Sequence, residues 1–139
     1  MSYSPNLLKN LGIKLAMEFV RENRPPEVRL FQAILLQAFE DSLSVSTFKR
    51  DTYAKEDSHK WFLSNSDDFQ SVCWNADLDP EVIRDEYKKL IRKGAVKFTK
   101  IQKSWINYRE YYKAYRNART KEERADIKRK IFSDKIKIK

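Results

Sequence analysis

Two glycines and four prolines in 139 residues leave this chain too little punctuation for a many-stranded sheet, so helices are the default. Apolar side chains recur at the three- and four-residue spacing that puts one face of a helix against a core. Leu7, Leu8, Leu11, Leu15 and Phe19 predict a first helix from Pro5 through Val20, with Ser4 as its cap. Arg24, Pro25 and Pro26 break it, and Leu30, Ile34, Leu35, Ala38 and Phe39 carry a second, well-buried helix to about Leu43. Residues 42–52, rich in Ser and Thr without a sustained stripe, read as a surface connection. A third helix runs from Tyr53 to Ser64 and a fourth from its Ser66 cap to about Ala76.

Asp79 followed by Pro80 opens a fifth helix, and Gly94 stands just past its end. Residues 95–100 alternate apolar and basic side chains, as one short strand or an extended arm would. Two further helices close the chain. One, from Ser104 to Arg119, carries Trp105, Tyr108, Tyr112 and Tyr115. The other starts at the Thr120–Glu123 capping box and reaches about Phe132, and the charged residues 135–139 after it are expected to fray. The predicted fold is all-α: a helical core over residues 1–100, and a basic helical extension over 101–139.

Charge is divided along the chain. Residues 1–87 hold 10 basic and 15 acidic side chains, a net −5, whereas residues 88–139 hold 19 and 5, a net +14. A block of that sign and size calls for a polyanion, nucleic acid before any other, and DNA more readily than RNA. Cations at Arg109, Lys113, Arg116, Arg119, Arg124, Lys128, Arg129 and Lys130 suit phosphates. Interleaved Tyr108, Tyr111, Tyr112 and Tyr115 suit stacking on the bases of a single strand, although half of them are equally expected in the core. Alternatively the basic tail is a solvated helix face, folds onto the acidic half, or pairs with a second copy as a homodimer.

From Phe69 to Leu90 a short helix, a tight turn and a capped helix succeed each other at helix-turn-helix spacing, the whole motif covering about residues 67–93. Val72, Cys73 and Ala76 would face Leu78, Ile83 and Tyr87; any two bundle helices joined by a short loop share this pattern. Arg84, Lys88, Lys89, Arg92 and Lys93 would lie near the groove of a duplex, with Lys113, Arg116, Arg119, Lys128 and Arg129 on phosphates. The acidic start of the same helix, at Asp79, Glu81 and Asp85, opposes that docking.

One cysteine and one histidine exclude an internal disulfide and a zinc cluster of ordinary spacing, and no glycine-rich phosphate loop or nucleophile motif is present. The expectation is therefore no enzyme, no cofactor and no metal, in a reducing, cytoplasmic compartment. No run is apolar enough for a membrane. Cys73 reads as a packing residue and His59 as a helix-surface residue.

The stretch WFLSNSDDFQSVCWNADLDPEVIRDEY, preceded by LFQAILLQAFED, resembles a family of small uncharacterised proteins of bacteriophages and alphaproteobacteria. The likeness is carried by Trp61, Leu63, Ser64, Phe69, Val72, Cys73, Ala76, Leu78, Asp79, Pro80, Ile83 and Arg84, and spans roughly residues 30–90. It implies a phage-like helix-turn-helix module; the role expected from charge and spacing is that of a DNA-binding transcriptional or genome-handling regulator. It implies no established activity. The sequence departs from the family at Asp77, where the family carries a glycine suited to a left-handed turn. Other roles open to such a chain are a phage-encoded inhibitor, of the anti-CRISPR kind, acting on a host protein within a nucleic-acid complex, and a packaging subunit.

Overall fold

The computed structural model describes residues 5–21 and 23–138, with side chains from Leu7 to Ser133 apart from residue 22. The expected Ser4 cap lies outside the described residues. Among those described, the chain is helical with no strand: α1 (Pro5–Asn10), α2 (Ile13–Val20), α3 (Pro26–Leu43), α4 (Lys49–Ser64), α5 (Asp67–Asn75), α6 (Pro80–Arg92), α7 (Lys100–Asn117) and α8 (Lys121–Ile138). They divide into two compact units. One comprises Met1–Ser44 and Ala54–Lys97, and the other Val45–Tyr53 and Phe98–Lys139.

The first unit holds the apolar core. Leu7, Leu11, Leu15 and Phe19 meet Leu35, Leu36 and Phe39 of α3, Phe62 of α4, and Ile83, Tyr87 and Leu90 of α6. At its centre Phe62 stacks on Tyr87 with ring centroids 4.3 Å apart, and Phe39 lies 4.6 Å from Phe62. His59 is half-buried instead of lying on the surface, because its Nδ1 sits 2.6 Å from the Tyr87 hydroxyl. Burial, followed by the charge of Lys55, lowers its pKa.

The expected single N-terminal helix is two. Gly12 takes an extended conformation as the N-cap of α2, and its N–H donates to Glu86 Oε2 at 3.2 Å. A Cβ there would meet that carboxylate at 3.0 Å, so the break depends on a residue 74 positions away. In α3 the buried face is shifted from the one expected: Leu35, Leu36, Ala38 and Phe39 are buried, whereas Leu30 and Ile34 are exposed.

The α5–α6 pair is built as its local signals imply. Ser66 accepts from the Phe69 N–H, Asp79 from the Glu81 N–H, and Gly94 has φ +78°. Val72, Cys73, Ala76, Ile83 and Tyr87 share the core, with Leu78 packed against it. Asp77 occupies the left-handed conformation, φ +61°, that glycine would take at that turn. The Gln32 amide closes the end of α5 by donating to the Ala76 carbonyl at 3.2 Å.

Residues 42–52 are not a plain surface connection. Ser42 and Thr52 are buried, and α4 begins at Lys49. Ser46 Oγ accepts from the Phe48 N–H and donates to Asp51, and Thr52 Oγ1 donates to the Phe48 carbonyl. Nor is 95–100 a strand or an arm: the Ala95 and Val96 N–H groups both donate to the Leu90 carbonyl, closing α6, and Val96 is buried. Thr99 then starts α7 four residues earlier than expected, in a full capping box with Gln102.

In the second unit α7 and α8 pack on each other as a hairpin joined by residues 118–120. Thr120 Oγ1 accepts from the Glu123 N–H, and α8 runs to Ile138, beyond the expected end at Phe132. Among the described residues no buried apolar side chain belongs to this unit; its buried side chains are the polar Thr52 and Gln102. The described helices include none long and apolar enough to cross a membrane.

Candidate nucleic-acid interface

The two units differ sharply in charge. Val45–Tyr53 with Phe98–Lys139 carry 16 basic and 6 acidic residues, a net +10, and the remaining residues carry 13 and 14, a net −1. Most of the charge that sequence alone assigns to residues 88–139 belongs to the second unit, which also takes in Lys49 and Arg50 from the start of α4, whereas Lys88, Lys89, Arg92, Lys93 and Lys97 fall in the first.

On α7 the residues 105, 108, 112 and 115 are spaced by three, four and three, which aligns them along one face. Trp105 meets Tyr108 edge-on at 5.9 Å and 88°. Tyr108 stacks on Tyr112 at 6.1 Å and 28°, and Tyr112 is tilted against Tyr115 at 6.5 Å and 32°. Trp105 is anchored by its indole N–H, which donates to the Thr47 carbonyl at 3.0 Å. Gln102, one turn earlier, donates from Nε2 to the Ser46 carbonyl at 3.0 Å, so the 46–47 backbone is held to α7 at two points.

Those bonds set the start of α4 against the aromatic ladder. Lys49 Nζ lies 5.7 Å from the Tyr108 ring and 6.0 Å from the rings of Trp105 and Tyr53. The Arg109 guanidinium is 4.7 Å from the Tyr53 ring, and that of Arg116 is 5.4 Å from Tyr112. Lys49, Arg109, Lys113 and Arg116 line a cleft of about 430 Å³ with Tyr53, Tyr108 and Tyr112, and no carboxylate is among its lining residues. Aromatic faces hold Lys49, Arg109 and Arg116 close together, with Lys113 beside them, and this density of cations gives the cleft a positive field toward an incoming anion.

The ten cations singled out from sequence fall into four groups. Lys113 and Arg116 line the cleft. Lys128 and Arg129 flank a separate hollow on α8 with Ala125, Ile131 and the exposed Phe132, and Arg129 lies 3.6 Å from Asp126. Arg119 is exposed at the hairpin turn, its N–H donating to Glu123 Oε2.

Arg84, Lys88, Lys89, Arg92 and Lys93 belong to the other unit, on α6 and its C-cap. Arg84 is half-buried, Lys89 pairs with Glu86 at 3.3 Å, and Lys93 donates to the Asn10 carbonyl at 2.6 Å, while Lys88 and Arg92 are exposed. Glu81 occupies the first turn of the same helix, where a base-reading helix would meet its target. None of the four α7 tyrosines is buried, contrary to the expectation that half would be core, and Tyr112 is 47% exposed. Lys49 and Tyr53 were not legible as site residues, since they follow a segment without helical periodicity.

No family model, curated protein or solved structure matches this chain.

Proposed function

We propose that the chain binds nucleic acid, DNA foremost, through the basic second unit. The observation that carries this reading is the net charge of +10 gathered on a unit whose cations line an aromatic cleft without acidic residues. Each phosphate neutralised by Lys or Arg releases counterions, which is the main source of affinity for such a surface. In this reading the α5–turn–α6 pair is a helix-turn-helix that adds a duplex contact from Lys88 and Arg92, weakened by the acidic start of α6. Its role is that of a phage-type transcriptional or genome-handling regulator acting in the cytoplasm, in keeping with the family resemblance.

A second reading is favoured by one feature of the first unit. Ile13, Met17 and Val20 form an exposed stripe along α2, which suits a protein partner and hence an inhibitor of a host nucleic-acid complex.

The test is fluorescence anisotropy with labelled duplex and single-stranded DNA across about 50 to 200 mM salt. The intact chain is compared with a variant in which Arg116, Arg119, Lys128 and Arg129 are all alanine. Salt-dependent binding with a slope that flattens in the variant supports the reading. Absence of binding at the lowest salt overturns it and leaves the protein partner.

A further inference from the structure

We infer that the cleft between the start of α4 and the aromatic face of α7 is a stacking site for unpaired nucleobases, so that the second unit grips single strands in preference to duplex. The inference rests on the nucleic-acid reading above and names the form of nucleic acid that this site takes.

Four observations converge on it. The aromatic ladder does not serve a core: no apolar side chain of this unit is buried among the described residues, and Tyr112 keeps nearly half of its surface exposed. Successive tyrosine rings of the ladder are 6.1 and 6.5 Å apart, inclined by 28° and 32°. The bases of a duplex rise by only about 3.4 Å per strand, so bases that each meet one ring must already be unstacked from their neighbours.

The cations also stand where a single strand would need them. Arg116 lies over Tyr112 and offers a planar guanidinium on which a base can stack, and Lys113, on the same helix, reaches the rim as a point charge for phosphate. Lys49 approaches from the opposite wall. At about 430 Å³ the cleft lies within the roughly 300–1,000 Å³ range of small-ligand sites, and its concave shape admits a flipped base where a paired one is shielded by its partner strand.

The test measures the ratio of single-strand to duplex affinity, using a fluorescein-labelled thymidine oligonucleotide and a mixed-sequence duplex of equal length at one salt concentration. The intact chain is expected to favour the single strand by about 5-fold or more, the least that one stacked base contributes. Tyr112→Leu, which keeps bulk and removes the π-face, should collapse that ratio toward one. Arg116→Lys, which keeps the charge and removes the planar group, should lower it in the same direction by less. Quenching of tryptophan fluorescence by the oligonucleotide, weakened in Trp105→Phe, gives a second readout at the site.

A ratio near one in the intact chain, or a ratio unchanged in Tyr112→Leu, overturns the stacking site. In that case salt-dependent binding to either form still upholds the broader nucleic-acid reading. No binding to either form overturns both.

Discussion

Arg24 holds Asp77, bonding through one guanidinium nitrogen to the residue that stands left-handed between α5 and α6 and through the other to Glu18. The side chain of Asp77 thus reaches back across the first unit while its backbone accepts a conformation that most residues resist. Three elements meet at that arginine: the end of α2, the segment leading into α3, and the α5–α6 turn.

Two effects compete at position 77. A Cβ in the left-handed region costs about 1 kcal/mol, less for Asp than for most residues, while an exposed ion pair returns little. Asp77→Gly should therefore unfold within about 0.5 kcal/mol of the parent, and Asp77→Ala, which keeps the Cβ and loses the pair, should fall about 1 kcal/mol below Asp77→Gly. Urea midpoints of the three proteins check the order. Equal midpoints for Gly and Ala would show that backbone strain at this turn is negligible.

Lys55 makes stability depend on pH in the alkaline range. Its ammonium donates to the carbonyls of Ser44 and Lys97, each at 2.6 Å, on a side chain that is 1% exposed, and burial lowers its pKa to about 8. In the unfolded chain it titrates at about 10.4. Between those values the unfolded chain binds more protons than the folded one, so this residue's contribution to stability rises from pH 8 toward 10 and is flat below 8. The neutral amine keeps two N–H groups for its two carbonyls. Subtracting a Lys55→Met stability profile from that of the parent should leave this rise. Lys55→Ala, which also opens a cavity and strands two acceptors, should cost about 2–4 kcal/mol at pH 7.

Cys73 is fully buried, and desolvation pushes its thiol up to about 12. At pH 8 only about one thiol in ten thousand is ionised, so the folded protein should resist iodoacetamide for hours and react at the rate of its own opening. Labelling should accelerate in step with the unfolded fraction as urea is raised. Rapid labelling of the folded chain would mean that α5 opens locally, ahead of global unfolding.

The parts of this fold that can be read from sequence are those where a boundary is written in adjacent residues. Ser66, the Asp79–Pro80 pair and Gly94 each do their work within a few positions, and α5 and α6 begin and end where those signals stand. The break at Gly12 is not legible locally, since the partner of its N–H is Glu86, 74 positions away. Thr99 and Gln102 are a readable capping pair, but the alternation from Ala95 onward masks it until the buried Val96 shows that this stretch closes α6. The cleft is half legible: the aromatic spacing on α7 is plain, whereas Lys49 and Tyr53 join it only through backbone contacts made by Trp105 and Gln102.

The cations of α7 should count for more in binding than those of α8. Asp126 lies 3.6 Å from Arg129 and 3.7 Å from Lys130, so a phosphate approaching α8 must displace an existing partner or share it. Arg116 faces an aromatic ring in a cleft with no carboxylate in its lining, and Lys113 makes a long ion pair with Glu110 at 3.9 Å. Removing two phosphate contacts should flatten the slope of log K against log salt by up to about 1.8, from about 0.9 per phosphate. The double variant K113A/R116A should approach that change, and R129A/K130A, which removes the two cations that share Asp126, should reach about half of it. The comparison needs only anisotropy titrations of the three proteins at matched salt. If the α8 pair flattens the slope as much as the α7 pair, the phosphate path runs along the hairpin's second helix, and the cleft is peripheral to it.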